Sequence, residues 1–399
     1  MTLLTMKKKT IKDIPDLSRK RVFLTADFNI SLDNGEVAND TRIRETLPTI
    51  DYLLGKKAKI IIASHLGRPK GKVDPHLSLA PVAERLSNLT KRKVHLIPEF
   101  WKEESLDLIK TIPDNEIVLL ENIRFCIGEQ ENEREFSKHL SKMADLFVND
   151  AFGASHRVHA STVGITQFLK GYAGLLLDKE VTMLSEALEN PKRPMTVIIG
   201  GAKTPDKIQV IDNILDIADN VLLGGAIANT FLAAWGFGMG QSMVDYEMVE
   251  MARVVFWKAT RKHSALMLPH DVIVSDPKRK KKPQIASYQE IPHHSAIFDI
   301  GPKALAHYIE QINNSKTIIW NGPMGLYEDP RFKKGTDALL QAMSEKEGAL
   351  TIIGGGDTLT SIHSKKYADK ISHISTGGGA MLEFMEKGTL PGIEVLEDK

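Results

Sequence analysis

Four arginines, Arg42, Arg68, Arg124 and Arg157, accompany polar segments that follow short apolar, β-branched runs, and His65 and His156 stand beside two of them. A single loop arginine is usually surface decoration. Four at the ends of expected strands point to an anion, because guanidinium forks match phosphate and carboxylate oxygens two at a time. The segments read Asp27-Phe28-Asn29, Ser64-His65-Leu66-Gly67-Arg68, Glu121-Asn122-Ile123-Arg124 and Asn149-Asp150-Ala151-Phe152-Gly153. Asp27 and Asn29 either accept hydrogen bonds from a ligand hydroxyl or form the turn after their strand, and spacing leaves both readings open.

Where the first half offers side chains, the second offers bare backbone: Gly200-Gly201-Ala202-Lys203, Gly224-Gly225, Asn321-Gly322-Pro323, Gly354-Gly355-Gly356-Asp357-Thr358 and Gly377-Gly378-Gly379. Glycine turns at strand ends let peptide N–H groups surround a polyphosphate. Lys203 and Lys207 lie about one helical turn apart, with Thr204 and Pro205 suited to the cap and first position of a helix, and would neutralise phosphate charge. Asp357 supplies a carboxylate able to hold magnesium. No Walker A lysine motif, no His-Arg-Asp signature and no Gly-x-Gly-x-x-Gly opening a βαβ unit occurs, so the familiar phosphoryl-transfer and dinucleotide-binding folds are not supported. His156-Arg157-Val158-His159 lacks a third ligand of evident spacing for zinc.

The elements that must carry these loops alternate throughout. Apolar runs at 22–26, 59–63, 94–97, 117–120 and 146–148, then at 196–199, 221–223, 272–274, 317–320, 351–353 and 371–374, are separated by segments of helical period. The pattern predicts two doubly wound parallel-sheet (Rossmann-like) α/β domains, with ligands outside the carboxyl ends of the strands. Length agrees, since 399 residues at 42% hydrophobic composition supply two cores rather than one. Leu175, Leu176, Val181, Leu184 and Leu188 recur at helical spacing and predict an interdomain helix with a hinge. The expected division is a first domain over 1–173, the helix over 174–190, a second domain over 191–385 and a tail over 386–399.

A formal net charge of +1 gives no reason to expect a nucleic-acid or membrane partner. The single cysteine, Cys126, excludes an internal disulfide and reads as a structural thiol in a reducing compartment. No apolar run of signal length follows Lys7, Lys8 and Lys9, so a cytoplasmic protein is expected. The uncharged stretch 221–240 is interrupted by glycines, Asn229 and Thr230, and reads as strand, turn and helix rather than a membrane span. The basic run 278–282, flanked by prolines, reads as a solvated loop.

Taken in order, the strand-end motifs resemble those of the phosphoglycerate kinase family over essentially the whole chain. Trp320-Asn321-Gly322-Pro323 and Ser375-Thr376-Gly377-Gly378-Gly379-Ala380 complete the set. The resemblance implies 3-phosphoglycerate held in the first domain by Asp27, Asn29, Arg42, His65, Arg68, Arg124 and Arg157, with Phe28, Leu66 and Gly67 in the same loops. It implies adenine nucleotide in the second, contacted by Lys203, Lys207, Gly225, Asn321, Gly354, Gly355, Gly356 and Thr358, with Glu328 on the ribose and Asp357 carrying Mg2+. The implied reaction is reversible transfer from 1,3-bisphosphoglycerate to ADP, in line and after domain closure, with Lys203 and Arg42 as catalytic groups. It further implies a monomer whose tail, 390–399, returns to the first domain. Departures from the family pattern are Thr25 where Arg is usual, Ser31 for Pro, Thr204-Pro205, Ala226-Ile227 and the inverted pair Lys387-Gly388. The alternative is a non-catalytic ligand-binding relative of the same fold, which Thr25 supports best.

Overall fold

The run Lys-Ile-Ile-Ile-Ala at 59–63 is buried at every position, as a strand covered on both faces must be. It belongs to the first of two six-stranded parallel sheets in the computed structural model, which describes residues 7–202, 205–262, 264–356, 358 and 365–399, with backbone alone at Asp206 and Lys365. The strands are β1 (Arg21–Thr25), the short hairpin β2 (Leu32–Asp33) and β3 (Glu36–Val37), β4 (Lys59–Ala63), β5 (Val94–Ile97), β6 (Ile117–Leu120), β7 (Leu146–Asn149) and β8 (Gly171–Ala173). Outside the hairpin they run in the order β5-β6-β4-β1-β7-β8.

The second sheet repeats the plan. It comprises β9 (Met195–Ile199), β10 (Asn220–Leu223), β11 (Ala265–Met267), β15 (Thr317–Asn321), β16 (Leu350–Gly354) and β17 (His373–Ile374), ordered β11-β10-β9-β15-β16-β17. In each sheet the first strand is flanked by one strand from each winding direction, β4 and β7 around β1 and β10 and β15 around β9. Loops at such a switch point diverge and leave room for a ligand.

One expected parallel strand is not parallel. β12 (Asp271–Ser275) pairs antiparallel with β13 (Gln284–Ser287) and β14 (Ala296–Ile300) in a separate sheet. The reason is chain length: the segment between β12 and β13 is too short for a crossover and suffices for a hairpin. The basic run 278–282 forms that connection and is exposed, tied down where Lys281 N–H donates to Asp276 Oδ1 at 2.6 Å. The uncharged stretch 221–240 resolves into β10 and the ten-residue helix Gly225–Ala234. No described helix is long and apolar enough to cross a membrane.

The chain falls into two compact units, Met1–Thr182 with Thr389–Lys399, and Met183–Gly388. The division lies inside the helix Leu175–Glu189, whose start is set from a distance. Asp150, at the end of β7, accepts from Leu176 N–H at 2.9 Å and Leu177 N–H at 3.1 Å, while Thr49 Oγ1 accepts from Leu175 N–H at 2.9 Å. These are orphan donors of a first helical turn. Burial pushes the Asp150 carboxyl up to about 7, against the pull of those hydrogen bonds. In the second unit Asp271 does the same for the helix Pro302–Asn314, accepting from Lys303 and Ala304 N–H at 3.1 and 2.8 Å.

The last residues belong to the first unit. Lys9 N–H donates to the Glu397 carbonyl at 2.8 Å and Glu397 N–H to that of Gly171 at 2.9 Å, while Asn149 Nδ2 donates to the Gly392 carbonyl at 2.8 Å.

Candidate active site

In the first unit, the ends of β1, β4 and β6 are stitched together before any ligand is considered. Ser64 Oγ accepts from Phe28 N–H at 2.9 Å and donates to the Ala26 carbonyl at 2.8 Å. Asn29 Oδ1 accepts from Gly67 N–H at 2.9 Å, and Asn122 Nδ2 donates to the Leu66 carbonyl at 2.7 Å. Gly67 has φ +63°, which calls for glycine, while a Cβ there would lie 2.8 Å from Leu77 Cδ2, a side-chain end that can shift.

On this frame Asp27, only 7% exposed, pairs with Arg42 at 2.5 Å from Oδ2 to Nη1, and its Oδ1 accepts from Asn29 N–H at 3.2 Å. Burial pushes the Asp27 carboxyl up, but Arg42, His65, the Asn29 N–H and Arg124 outweigh it and hold it below the usual carboxylate range. His65 is pushed down to about 3 by its burial, with Asp27 opposing and Arg124 and Arg42 adding to the fall. Its imidazole is therefore neutral at physiological pH. Arg124 donates to the Gly67 carbonyl at 3.0 Å. Burial depresses Arg124, as do the like charges of Arg157 and Arg68, against the pull of Glu129 and Asp27.

Mutually repelling guanidinium groups around a buried carboxylate are held at a cost, and a bound anion relieves it. Arg42, Arg124, His65, Asp27 and Asn29 are brought together directly. Arg68 and Arg157 stand exposed at the rim. Thr25 is buried, and its hydroxyl donates to the Ser161 carbonyl at 2.7 Å. It contributes a tether rather than a charge.

In the second unit, glycines at the ends of β9, β10 and β15 pack backbone on backbone. A Cβ on Gly200 would strike the Pro323 carbonyl oxygen, and one on Gly225, φ +61°, would lie 2.7 Å from Gly201 N. A cavity of about 380 Å3 opens beside them, lined among others by Gly201, Gly225, Asn229, Met324, Leu326 and Glu328. Its largely apolar walls and size suit a flat heterocycle, and exposed Glu328 stands at the rim. Lys207, 8% exposed, donates through Nζ to the Gly200 carbonyl at 2.5 Å. Thr358 Oγ1 accepts from Gly322 N–H at 2.6 Å. Asn321 Nδ2 is buried without a hydrogen-bond partner among the described residues, close to the Gly355 backbone. An unspent amide donor among strand-end glycines fits a phosphate oxygen. Lys203, Thr204 and Asp357 lie outside the described residues.

Three groups escaped the sequence reading. Glu129 sits within Gly-Glu-Gln-Glu-Asn-Glu at 128–133, a composition that reads as solvated surface and gives no signal. Ser161, its partner, is equally anonymous. Asp299 was findable as the one carboxylate in the apolar run 296–300. It lines the cavity, accepts from Ile300 and Gly335 N–H at 2.9 and 2.8 Å, and is pushed up to about 7 by burial.

An α/β unit that gathers cations at the carboxyl ends of its central strands, and a second built of glycine loops around a heterocycle-sized cavity, together fit a phosphotransferase. The family model described as phosphoglycerate kinase matches residues 11–388. The phosphoglycerate kinase of Coxiella burnetii is similar at 40% identity and a TM-score of 0.85, covering 97% of this chain and 98% of that one. That of Pyrococcus horikoshii OT3 is similar at 31% identity and a TM-score of 0.86, with the same coverage. The chain belongs to the phosphoglycerate kinase family, and its activity is the glycolytic transfer of a phosphoryl group between 1,3-bisphosphoglycerate and ADP. Nothing among these findings favours the non-catalytic alternative.

Proposed function

We propose that the first unit holds 3-phosphoglycerate on Arg42, Arg68, Arg124, Arg157, His65, Asp27 and Asn29, and that the second holds ATP or ADP, with Glu328 on the ribose. The observation that carries the first assignment is the Asp27–Arg42 pair with Arg124 and His65 packed around it. The unspent Asn321 amide supports the second. After closure about the helix Leu175–Glu189, a carboxylate oxygen of the acceptor attacks the terminal phosphorus in line. A new P–O bond forms as the bond to ADP breaks, with no proton to move and no covalent enzyme intermediate.

Charge therefore has to be met on the moving phosphoryl, which is the task of Lys203 and Arg42. Lys207 donates to the Gly200 carbonyl, which supports assigning the moving phosphoryl to Lys203 rather than to Lys207. Asp357 would hold Mg2+, and the ion would supply neutralisation of phosphate charge. A cytoplasmic compartment, supported by the lone cysteine whose thiol burial pushes up to about 12, and the family's monomeric state complete the reading.

Lys203→Ala tests the assignment. A preorganised donor of this kind is worth roughly 3 kcal/mol, so turnover should fall at least about a hundredfold. Turnover near the wild-type value would remove Lys203 from the chemistry.

A further inference from the structure

Behind the arginines lies a buried carboxylate that the reaction does not use. Glu129, 2% exposed, sits on the short helix Ile127–Gln130, just after Arg124 in the chain. Its Oε1 accepts from Ser161 Oγ at 2.7 Å and its Oε2 from Ser161 N–H at 3.0 Å. Oε1 also lies 3.6 Å from His159 Nδ1. The backbone carbonyl of Glu129 accepts from Ala160 N–H at 2.9 Å, so main chain and side chain grip the same loop. Ser161 passes the connection on, since its carbonyl accepts the Thr25 hydroxyl at the end of β1. Within that loop Thr162 Oγ1 donates to the Arg157 carbonyl at 3.0 Å and accepts from His159 N–H at 3.3 Å. The negative charge of Glu129 also opposes the fall that burial imposes on Arg124.

We propose that Glu129 is a positioning residue of the acceptor site. Its carboxylate holds Ser161, with His159 beside it, and its backbone carbonyl holds Ala160, and this fixes the segment 157–162, which carries Arg157, at the spacing a phosphorylated three-carbon acid requires. The proposal rests on the substrate reading above. Two physical arguments give opposite signs for its loss. Charge balance alone says that removing an anion from a cationic site tightens the hold on another anion. Positioning says that freeing the 157–162 loop and the Arg157 it carries weakens it, because a long cationic side chain must be ordered again for every ligand bound.

Glu129→Gln keeps the shape and one acceptor oxygen and removes the charge. KM for 3-phosphoglycerate should rise about tenfold, the scale of a lost charged hydrogen bond, with KM for ATP unchanged and thermal stability close to wild type. An unchanged or lowered KM for 3-phosphoglycerate overturns the proposal, as does a loss of stability with KM intact. Ser161→Ala, which removes one donor and leaves the carboxylate, should raise the same KM by a smaller factor and decides the matter if the first variant does not fold. Calorimetric binding of 3-phosphoglycerate separates the two readings. A wild type that binds it without turning over refutes the kinase reading, and the ratio of dissociation constants still tests Glu129. A wild type that does not bind it overturns both.

Discussion

Arg42→Ala should lower kcat/KM for 3-phosphoglycerate at least about a hundredfold, which is roughly 2.7 kcal/mol of transition-state stabilisation. Arg42 would lose its charge-assisted bonds to the acceptor, each worth about 1.5–3 kcal/mol. It would also leave Asp27, 7% exposed, without its closest counter-charge. Breaking a buried pair from one side typically costs about 3–5 kcal/mol, and about 2–4 is expected here because the Arg42 side chain is 27% exposed.

The pH dependence follows from the same pair. In the wild type the Asp27 carboxyl is held below its usual 3.8, so the folded state binds protons less readily than the unfolded. Its contribution is present above that value and is lost as pH falls through the folded pKa. Without Arg42 burial is less opposed, and the carboxyl rises. A raised carboxyl costs stability as pH increases, so the variant's deficit in urea unfolding should be larger at pH 8 than at pH 5. Release of His65 from the nearby positive charge acts in the same direction. Equal deficits at the two pH values, or wild-type kcat/KM, would contradict this account of the pair.

Gly322→Ala should damage the other unit. Gly322 has φ +93°, and a Cβ there would run into the Gly200 carbonyl and approach the Lys207 ammonium. Left-handed strain costs about 1–3 kcal/mol and overpacking a similar amount, giving roughly 3 together. For a unit of this size that is a fall of about 10 °C in Tm. The N–H that Gly322 donates to Thr358 would shift with it, so KM for ATP should rise more than tenfold while calorimetric binding of 3-phosphoglycerate is preserved. A variant with wild-type Tm and wild-type KM for ATP would show that this close backbone approach is dispensable.

The parallel sheets were legible because strands covered on both faces must be largely apolar, as at 60–63 and 197–199. The loops after them were legible because arginines and glycines recur together at several strand ends, where each alone would read as surface decoration or a turn. β12 illustrates where periodicity stops: an apolar run has the same composition whether its neighbour is parallel or antiparallel, and only the short connection to β13 decides. Asn29 at least forms the turn, its Oδ1 accepting from Gly67 N–H and its own N–H donating to Asp27. Both the turn and the neighbouring loop depend on it. Glu129 and Ser161 could not be read at all, because their meaning lies in a contact between segments 32 residues apart. Thr25, which looked like a missing charge, is explained by the same contact.

The central claim is tested most directly by mixing the wild-type protein with ATP and 3-phosphoglycerate, with and without magnesium, and following 1,3-bisphosphoglycerate by a coupled assay. Magnesium-dependent formation of the acyl phosphate is the predicted result. Measurable binding of both ligands with no turnover at any magnesium concentration would contradict it.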